Sequence, residues 1–370
     1  MKFVFCGDFV SQWPEKIKVD EKLRMLFNSA DYVAVNFEAP VSGVGTPIDK
    51  SGPSLTQSQY SPSFIEGLGA NIIMMANNHI MDNGKDACQA SINKFSSETL
   101  VIGVGYLNDA YRIRVLEKDG VKIGLLCLVH KEFGALGIDS DDTDYGTAWI
   151  NHPRVNKAIL NAKKLCDLLV VLPHAGVEDV VVPLPEWRAR YKEFIDMGAD
   201  AVIASHPHTP QGWEEYNGKM IYYSLGNFFF QLFSSQHGEN WYKGLVVEMD
   251  VDPDKNLSFE VHNTRFTESS LTLDESTGSR KYNDYFCELL RDDKEYWNYL
   301  NRMLKSLWPE YKLYLLRGLG AITPTANFRV FSHAAYGVLK GQDIPMMLNN
   351  FQCESHRWAI ERMLRLCSGN

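Results

Sequence analysis

Two histidines separated by one residue, His206 and His208, follow the apolar run at residues 200–205. On an extended chain, side chains two positions apart project to the same side. The run is therefore predicted to be a buried strand that delivers two imidazoles to one point. This spacing suits a shared metal ion, although a His-x-His pair by itself is weak evidence for a metal site.

Four other apolar runs lead to side chains of the same kind: Asp8, Glu38, Asn78 with His79, and His174. Side chains beyond the carboxyl ends of parallel strands converge even when they are far apart in sequence. Each residue alone has an ordinary alternative, because Asp caps helices and Asn forms turns. Five such strand ends together favour a metal centre. Oxygen and nitrogen donors without thiolate suit Mn, Fe or Zn, and two such ions would lie about 3.5–4 Å apart.

Six segments occur in the order found in the capsule biosynthesis protein CapA family, whose members are linked to poly-γ-glutamate capsule assembly. They lie at residues 36–40, 76–79 with Asp82 and Gly84, 174–178, 198–202, 205–208 and 223–228. Over about residues 1–265 the chain resembles this family, which is itself similar to the calcineurin-like metallophosphoesterases. The resemblance implies an α/β fold, a four-layer α/β/β/α sandwich of the metallo-dependent phosphatase type with two divalent metals at the strand ends.

The resemblance also implies a set of metal ligands. They are Asp8 and His208 for the first ion, Asn78, His174 and His206 for the second, and Glu38 as the bridge. Three positions depart from the usual pattern. Val10 replaces a histidine, so the first ion lacks the imidazole usually supplied there; Glu38 replaces an aspartate; and Ala175 replaces a tryptophan.

Catalytic and substrate-binding roles are implied in the same way. His79 matches the position that protonates a leaving group or stabilises transition-state charge, and Asp82 would hold its imidazole in one tautomer. The candidate substrate-binding residues are Asn77, Lys50, Lys131, Glu178 and Asn227. For the two lysines, an ordinary solvated position is the alternative.

Two classes of function remain open from the sequence. The first is a metal-dependent hydrolase that cleaves a phosphoester or an amide such as a γ-glutamyl bond with a metal-activated water. The second is a non-catalytic assembly or binding component of a capsule or polyglutamate system that keeps a remnant metal site. The missing histidine at Val10 slightly favours the second class, whereas the joint presence of the six candidate ligands and His79 favours the hydrolase. The expected substrate is a small molecule or a polyanion of the polyglutamate or saccharide type.

Composition limits the partners. The chain has 370 residues and a formal net charge of −9, which argues against a broad nucleic-acid-binding surface. It contains no apolar run long enough to span a membrane and no recognisable signal peptide. Seven scattered cysteines without a C-x-x-C pair fit a reducing compartment. A cytoplasmic protein without a membrane span is therefore expected.

Hydrophobic periodicity predicts two regions. Strands alternate with helices at residues 20–30, 61–68, 85–97, 154–164 and 185–197, and Asp119-Gly120 is typical of a hairpin turn. Residues 1–265 are accordingly interpreted as the sandwich domain. Residues 266–370 are interpreted as a helical extension, with helices at 282–290, 295–307, 328–339 and 355–366. This extension is expected to cap the metal face or to form a homodimer interface, and the sequence does not choose between these roles.

Overall fold

The computed structural model describes residues 1–231, 237–318 and 343–368. The helices are α1 (Glu21–Asn28), α2 (Ser61–Gly67), α3 (Gly84–Ile92), α4 (Leu107–Ala110), α5 (Pro153–Asn161), α6 (Pro185–Asp196), α7 (Thr277–Arg291), α8 (Asp293–Gly318), α9 (Ile344–Gln352) and α10 (Glu354–Ser368). The helix predicted at 328–339 lies outside the described residues. Among the described helices, none combines the length and the apolar character needed to cross a bilayer.

Eighteen strands are described, and most belong to two large mixed sheets. The strands are β1 (Lys2–Val10), β2 (Lys18–Val19), β3 (Tyr32–Phe37), β4 (Ile72–Met74), β5 (Leu100–Ile102), β6 (Val104–Tyr106), β7 (Arg114–Lys118), β8 (Val121–Val129), β9 (Ala135–Leu136), β10 (Tyr145–Ala148), β11 (Leu168–His174), β12 (Ala201–Ile203), β13 (Trp213–Tyr216), β14 (Lys219–Tyr222), β15 (Asn227–Phe230), β16 (Lys243–Val251), β17 (Leu257–Phe266) and β18 (Ser270–Leu273).

The first sheet has the order β2-β18-β17-β16-β1-β3-β4-β5, with β15 also paired to β1. The second has the order β13-β14-β12-β11-β8-β7, and a small third sheet has the order β6-β10-β9. Strands β1, β3, β4 and β5 are parallel, as are β8, β11, β12 and β14. Each large sheet therefore has a parallel portion in which the carboxyl ends of all strands lie at the same edge.

Alternating side chains explain why the two sheets stack. In β1, Phe3 and Phe5 enter the core between the sheets, whereas Val4 and Cys6 face the core shared with α1, α2 and α3. In β11, Val170 faces the inner core and its neighbour Val171 faces the core shared with α6. Because each of these strands is apolar on both faces, each large sheet packs against another layer on both of its faces. The predicted four-layer α/β/β/α sandwich is confirmed.

Local sequence signals have the expected effects at two turns. Asp20 caps α1, with its side chain accepting a hydrogen bond from the backbone N–H of Lys22 at 3.0 Å. Between β7 and β8, Asp119 and Gly120 have φ values of 53° and 77°, the left-handed pair of a type I′ hairpin turn. The predicted Asp-Gly hairpin is therefore present.

The sequence suggested that the first strand ends before Gly7. In the structure, β1 continues to Val10. Its pairing register shifts next to Asp8, and the Asp8 N–H donates to the carbonyl of Gly226 at 3.1 Å. A Cβ on Gly7 would lie 1.9 Å from that same carbonyl oxygen. Only glycine permits this close approach, which fixes Asp8 inside the strand and not after it.

The C-terminal helices share a core with the second sheet. Phe286 of α7, Leu300 of α8 and Ile360 of α10 belong to the same apolar cluster as Trp187 of α6. The first sheet continues through β17 and β18 to Leu273, and α7 begins at Thr277. The helical segment therefore packs directly on the sandwich.

The close approach at Gly7 generates a stability prediction. We expect Gly7→Ala to lower the free energy of unfolding by roughly 1–3 kcal/mol, the range typical of overpacked sites, because the strand or the Gly226 turn must shift. Gly67→Ala is the matched control, since its new methyl group would point into open space at the end of α2. Denaturant unfolding should show the control unchanged or stabilised by up to about 1 kcal/mol. Equal stability of Gly7→Ala and wild type would contradict the packing argument.

Candidate metal centre

Six side chains converge where the parallel strands of both large sheets end. The nine-stranded sheet supplies Asp8, Glu38 and Asn78, and the six-stranded sheet supplies His174, His206 and His208. All six residues are buried. The structure thus brings together every residue that the sequence assigned to the two metal ions.

Three of the candidate ligands surround the Nε2 atom of a fourth, His174. That atom lies 2.9 Å from Asn78 Oδ1, 3.1 Å from His206 Nδ1 and 3.4 Å from Glu38 Oε1. The other ring nitrogen, Nδ1, lies 3.2 Å from the hydroxyl of Ser205. The second predicted subsite is therefore a compact group of two imidazole nitrogens and two oxygens.

The first subsite is built around His208. Its Nδ1 lies 2.8 Å from Asn227 Oδ1 and 3.3 Å from Asp8 Oδ2, while its Nε2 lies 3.5 Å from Glu38 Oε1. The Asn227 amide in turn donates to the carbonyls of His208 and Trp241. Asn227, a candidate substrate-binding residue, thus orients the His208 ring, and it is not among the residues that line the cavity described below.

The donor atoms fit divalent cations. Glu38 Oε1 is buried and has no hydrogen-bond partner among the described residues, yet it lies 3.4–3.5 Å from an imidazole nitrogen on each side. Two atoms bound to one tetrahedral ion at about 2.0–2.1 Å lie about 3.4 Å apart. An unpaired buried carboxylate oxygen is costly unless a cation or a proton satisfies it. Glu38 is therefore placed to join two cation subsites.

The His-x-His segment reaches the site by a route that differs from the predicted strand. Strand β12 ends at Ile203, and His206 and His208 have φ values of 103° and 57°. Pro207 packs so closely on Gly176 that a Cβ there would lie 2.6 Å from the Pro207 ring. Positive φ at two non-glycine residues is strained, and such strain is typical of functional sites. The imidazoles converge because the loop turns, not because a strand alternates.

Without cations, the cluster favours a protonated Glu38 and neutral rings at His174 and His206, whereas burial lowers the pKa of His208 less than its contacts with Asp8 raise it. Burial and the charge of Asp8 raise the pKa of Glu38 well above its usual range. Burial lowers the pKa of His174 to about 3 and, with the nearby imidazoles, holds the pKa of His206 well below its usual value. Burial disfavours the charged form of Asp8. The contacts of this carboxylate with His208 and His174 have the larger effect, and they lower the pKa of Asp8. Neutral imidazoles are the form that binds metals.

Asn36 is a site residue that the sequence analysis missed. Its side-chain amide lies 2.7 Å from Asp8 Oδ1, 3.3 Å from Glu38 Oε2 and 3.1 Å from His174 Nδ1. A polar residue within the buried strand β3 could have revealed it, because buried polar groups are nearly always hydrogen-bonded. Asn36 therefore fixes the relative positions of three candidate ligands.

Asn77 has a positioning role. Its amide donates to Asn36 Oδ1 and to the Phe37 carbonyl, and its oxygen accepts from the backbone N–H groups of His79 and Ile80. Because these bonds use both ends of the side chain, Asn77 holds the loop that carries Asn78 and His79. It was predicted to bind substrate, but it is not among the residues that line the cavity described below.

His79 belongs to a chain of three polar side chains. Its Nδ1 lies 2.7 Å from Asp82 Oδ2, and the same carboxylate pairs with the ammonium of Lys50 and accepts from the Leu55 N–H. Lys50 and Asp82 are 3% and 1% exposed, so Lys50 is a buried ion-pair partner and not a solvated lysine. With Nδ1 engaged by Asp82, Nε2 is the ring nitrogen that remains for a reacting group.

A cavity of about 580 Å³ opens onto the centre. It is lined by Asn78, His79 and His208 from the site, by Lys50 and Glu178 among the other predicted residues, and by Leu307, Tyr311 and Met346 from the C-terminal helices. Lys131 is not part of this lining; its ammonium donates to the Ala135 carbonyl and lies over the Trp149 ring. The helical segment thus forms one wall of the candidate site.

The family model described as "Bacterial capsule synthesis protein PGA_cap" matches residues 2–232. The chain belongs to this family. Among curated relatives, the chain is 30% identical over 235 residues to the PGA biosynthesis protein CapA of Bacillus subtilis (strain 168). It is also 30% identical over 212 residues to the capsule biosynthesis protein CapA of Bacillus anthracis.

The chain matches only part of these relatives' length. The two matches cover 61% and 55% of this chain and 61% and 51% of the respective relatives. Among solved structures, a hypothetical protein from Thermus thermophilus aligns with a TM-score of 0.45 at 16% identity, covering 71% of this chain and 99% of that one. A 5'-nucleotidase from Candida albicans SC5314 aligns with a TM-score of 0.41 at 12% identity, covering 80% and 54%.

The geometry of the second subsite generates a binding prediction. Loss of a residue that only hydrogen-bonds to a ligand typically weakens metal binding by roughly 10–100-fold. We expect His206→Ala to weaken Mn²⁺ or Zn²⁺ binding by more than this, because the substitution removes a candidate ligand. Calorimetric titration, with elemental analysis of the loaded protein, measures this change. His262→Ala is the control, since that imidazole lies on β17 beside Glu248. Unchanged affinity in His206→Ala would remove this residue from the centre.

Proposed function

We propose that this chain is a metal-dependent hydrolase that acts on a phosphoester or on an amide such as a γ-glutamyl bond. The observation that carries the proposal is the position of His79. It directly follows the candidate ligand Asn78, lines the same cavity, and has its Nδ1 fixed by Asp82. A non-catalytic metal site would need the ligands but not an oriented acid beside them.

The six converging side chains would hold two divalent ions. They are Asp8, Glu38, Asn78, His174, His206 and His208, and their buried nitrogen and oxygen donors lie close enough together to share ligands between two ions. Such ions supply Lewis acidity toward phosphorus or a carbonyl carbon and acidify water near neutral pH.

The chain's own residues would position a proton. Asp82 accepts from His79 Nδ1–H, so the doubly protonated ring presents its Nε2–H to the cavity and can give that proton to a leaving oxygen or nitrogen there. Lys50 pairs with the other oxygen of Asp82, which fixes the position of this carboxylate. The Leu55 N–H further fixes the carboxylate. These contacts hold the imidazole in one orientation and one tautomer.

The cavity indicates what kind of substrate fits. Its volume is within the range of small-molecule sites, and the C-terminal helices supply one of its walls. Glu132, Glu178, Asp179 and Glu310 also line it, whereas the cation Lys50 is already paired with Asp82. An anionic group would therefore depend on the metal ions for positive charge. We propose a small anionic substrate, or the end of a polyanion such as polyglutamate, as the ligand.

The role of His79 is tested by leaving-group dependence. We expect His79→Ala to keep its metal and to lose roughly 10²–10⁴-fold in kcat on substrates with poor leaving groups, the usual contribution of general acid catalysis. Turnover of a series of aryl phosphates with increasingly basic phenolate leaving groups, and of poly-γ-glutamate, measures this loss. It should shrink for good leaving groups, which need no proton.

Two controls sharpen that experiment. Asp82→Asn should show a smaller loss with the same leaving-group trend, because the imidazole loses its orienting carboxylate but remains present. His262→Ala, outside the site, should behave as wild type. Full activity of His79→Ala would exclude the catalytic role. If the metal-loaded wild type turns over neither substrate class, the assembly or binding function of capsule biosynthesis is the better description.

A further inference from the structure

A second group of potential ligands lies beside the metal centre and uses residues far apart in the chain. His130 and Glu132 follow β8, and Cys353 lies between α9 and α10. One nitrogen, one carboxylate oxygen and one sulfur of these residues lie within 4.8 Å of one another. None of the three belongs to the six ligands described above.

His130 has an unsatisfied nitrogen that faces this group. The residue is 1% exposed, and its Nδ1 lies 3.0 Å from the hydroxyl of Ser355. Its Nε2 has no hydrogen-bond partner in the part of the chain that the structure describes, and it lies 3.8 Å from Glu132 Oε1. That separation is too long for a hydrogen bond. It is close to the distance of about 3.4 Å that is expected between two ligand atoms of one tetrahedral ion. Because buried polar atoms nearly always have a bonding partner, this unpaired nitrogen indicates that a partner binds there.

The surrounding contacts hold the two segments together. The Lys131 N–H donates to Glu354 Oε2 at 2.7 Å, and the Trp187 indole N–H donates to the Ser355 hydroxyl at 3.0 Å. Ligating histidines usually donate their other ring N–H to a fixed acceptor, and Ser355 stands in that position for His130. The two residues that follow Cys353 are thereby fixed against the loop that carries His130.

We infer that His130, Glu132 and Cys353 form a zinc site that joins the C-terminal helices to the sandwich. The donor set of imidazole, carboxylate and thiolate is typical of zinc and differs from the thiol-free metal centre nearby. Binding forms a zinc–sulfur bond and releases the thiol proton to solvent. The inference concerns binding and does not depend on the proposed hydrolysis.

The proposed zinc site lies at the wall of the cavity. Three protein ligands leave a fourth position on a tetrahedral zinc, and Glu132 lines the cavity. The His130 ring also packs edge-on against His206, with ring centroids 4.3 Å apart. An ion held here would offset the negative charge of Glu132 on a cavity wall that carries several carboxylates, and would tie the helical wall to the sandwich.

Sulfur coordination provides the test, because the thiol-free centre cannot produce it. In zinc K-edge X-ray absorption of the full chain loaded with Zn²⁺, we expect a sulfur scatterer at about 2.3 Å. Cys353→Ser should lose that scatterer and one equivalent of zinc, measured by elemental analysis. Cys367→Ser, which removes an exposed thiol, is the matched control and should keep both. A wild-type spectrum without sulfur, or a sulfur signal that survives Cys353→Ser, would overturn the inference.

Two further variants separate this site from the main centre. His206→Ala should keep the sulfur scatterer although it loses metal at the main centre; loss of the scatterer there would overturn a separate site. His130→Gln preserves a polar group at the Ser355 contact and should lower zinc affinity at the sulfur site, which keeps the test decisive if Cys353→Ser does not fold. Unchanged sulfur coordination and affinity in His130→Gln would overturn the assignment of His130.

Discussion

Two buried carboxylates, those of Asp8 and Glu38, lie where the two sheets meet, and the surrounding structure depends on how their charge is balanced. Burying a charge is costly unless it is paired and hydrogen-bonded. Asp8 is compensated by Asn36, by His208 and by the backbone N–H of His206. Glu38 keeps one oxygen that no described residue hydrogen-bonds, and its pKa is raised. The centre is therefore electrostatically incomplete until a proton or a cation occupies it.

Both sheets are needed to build this centre. Each presents the carboxyl ends of parallel strands to the same edge, so candidate ligands far apart in the sequence, such as Asp8 and His208, become neighbours. The approach is maintained by locally unfavourable backbone, including the positive φ values of His206 and His208. Strained backbone persists only where surrounding packing enforces it. The tight contact of Gly7 with Gly226 is part of that packing.

The C-terminal helices give the exposed side of the centre its shape. They pack on the six-stranded sheet through the core cluster that contains Trp187, and Glu354 anchors α10 by accepting from Trp149 and from the Lys131 N–H. Leu307, Tyr311 and Met346 then reach the cavity. The sandwich thus supplies the candidate metal-binding and catalytic residues, while the helices limit which molecules can reach these residues. Cys353 lies at the point where these two parts meet.

The sequence by itself determined the alternation of strands and helices and the hairpin at Asp119-Gly120, because hydrophobic periodicity and turn residues are local signals. The four layers and the assignment of the candidate ligands were implied by the resemblance to the CapA family. The sequence did not reveal Asn36 as the amide that contacts three candidate ligands, Lys50 as the buried partner of Asp82, or Asn227 as the residue that orients His208. Those roles were decided by the tertiary structure. Each depends on burial and on contacts between segments far apart in the chain, which no local pattern of residues encodes.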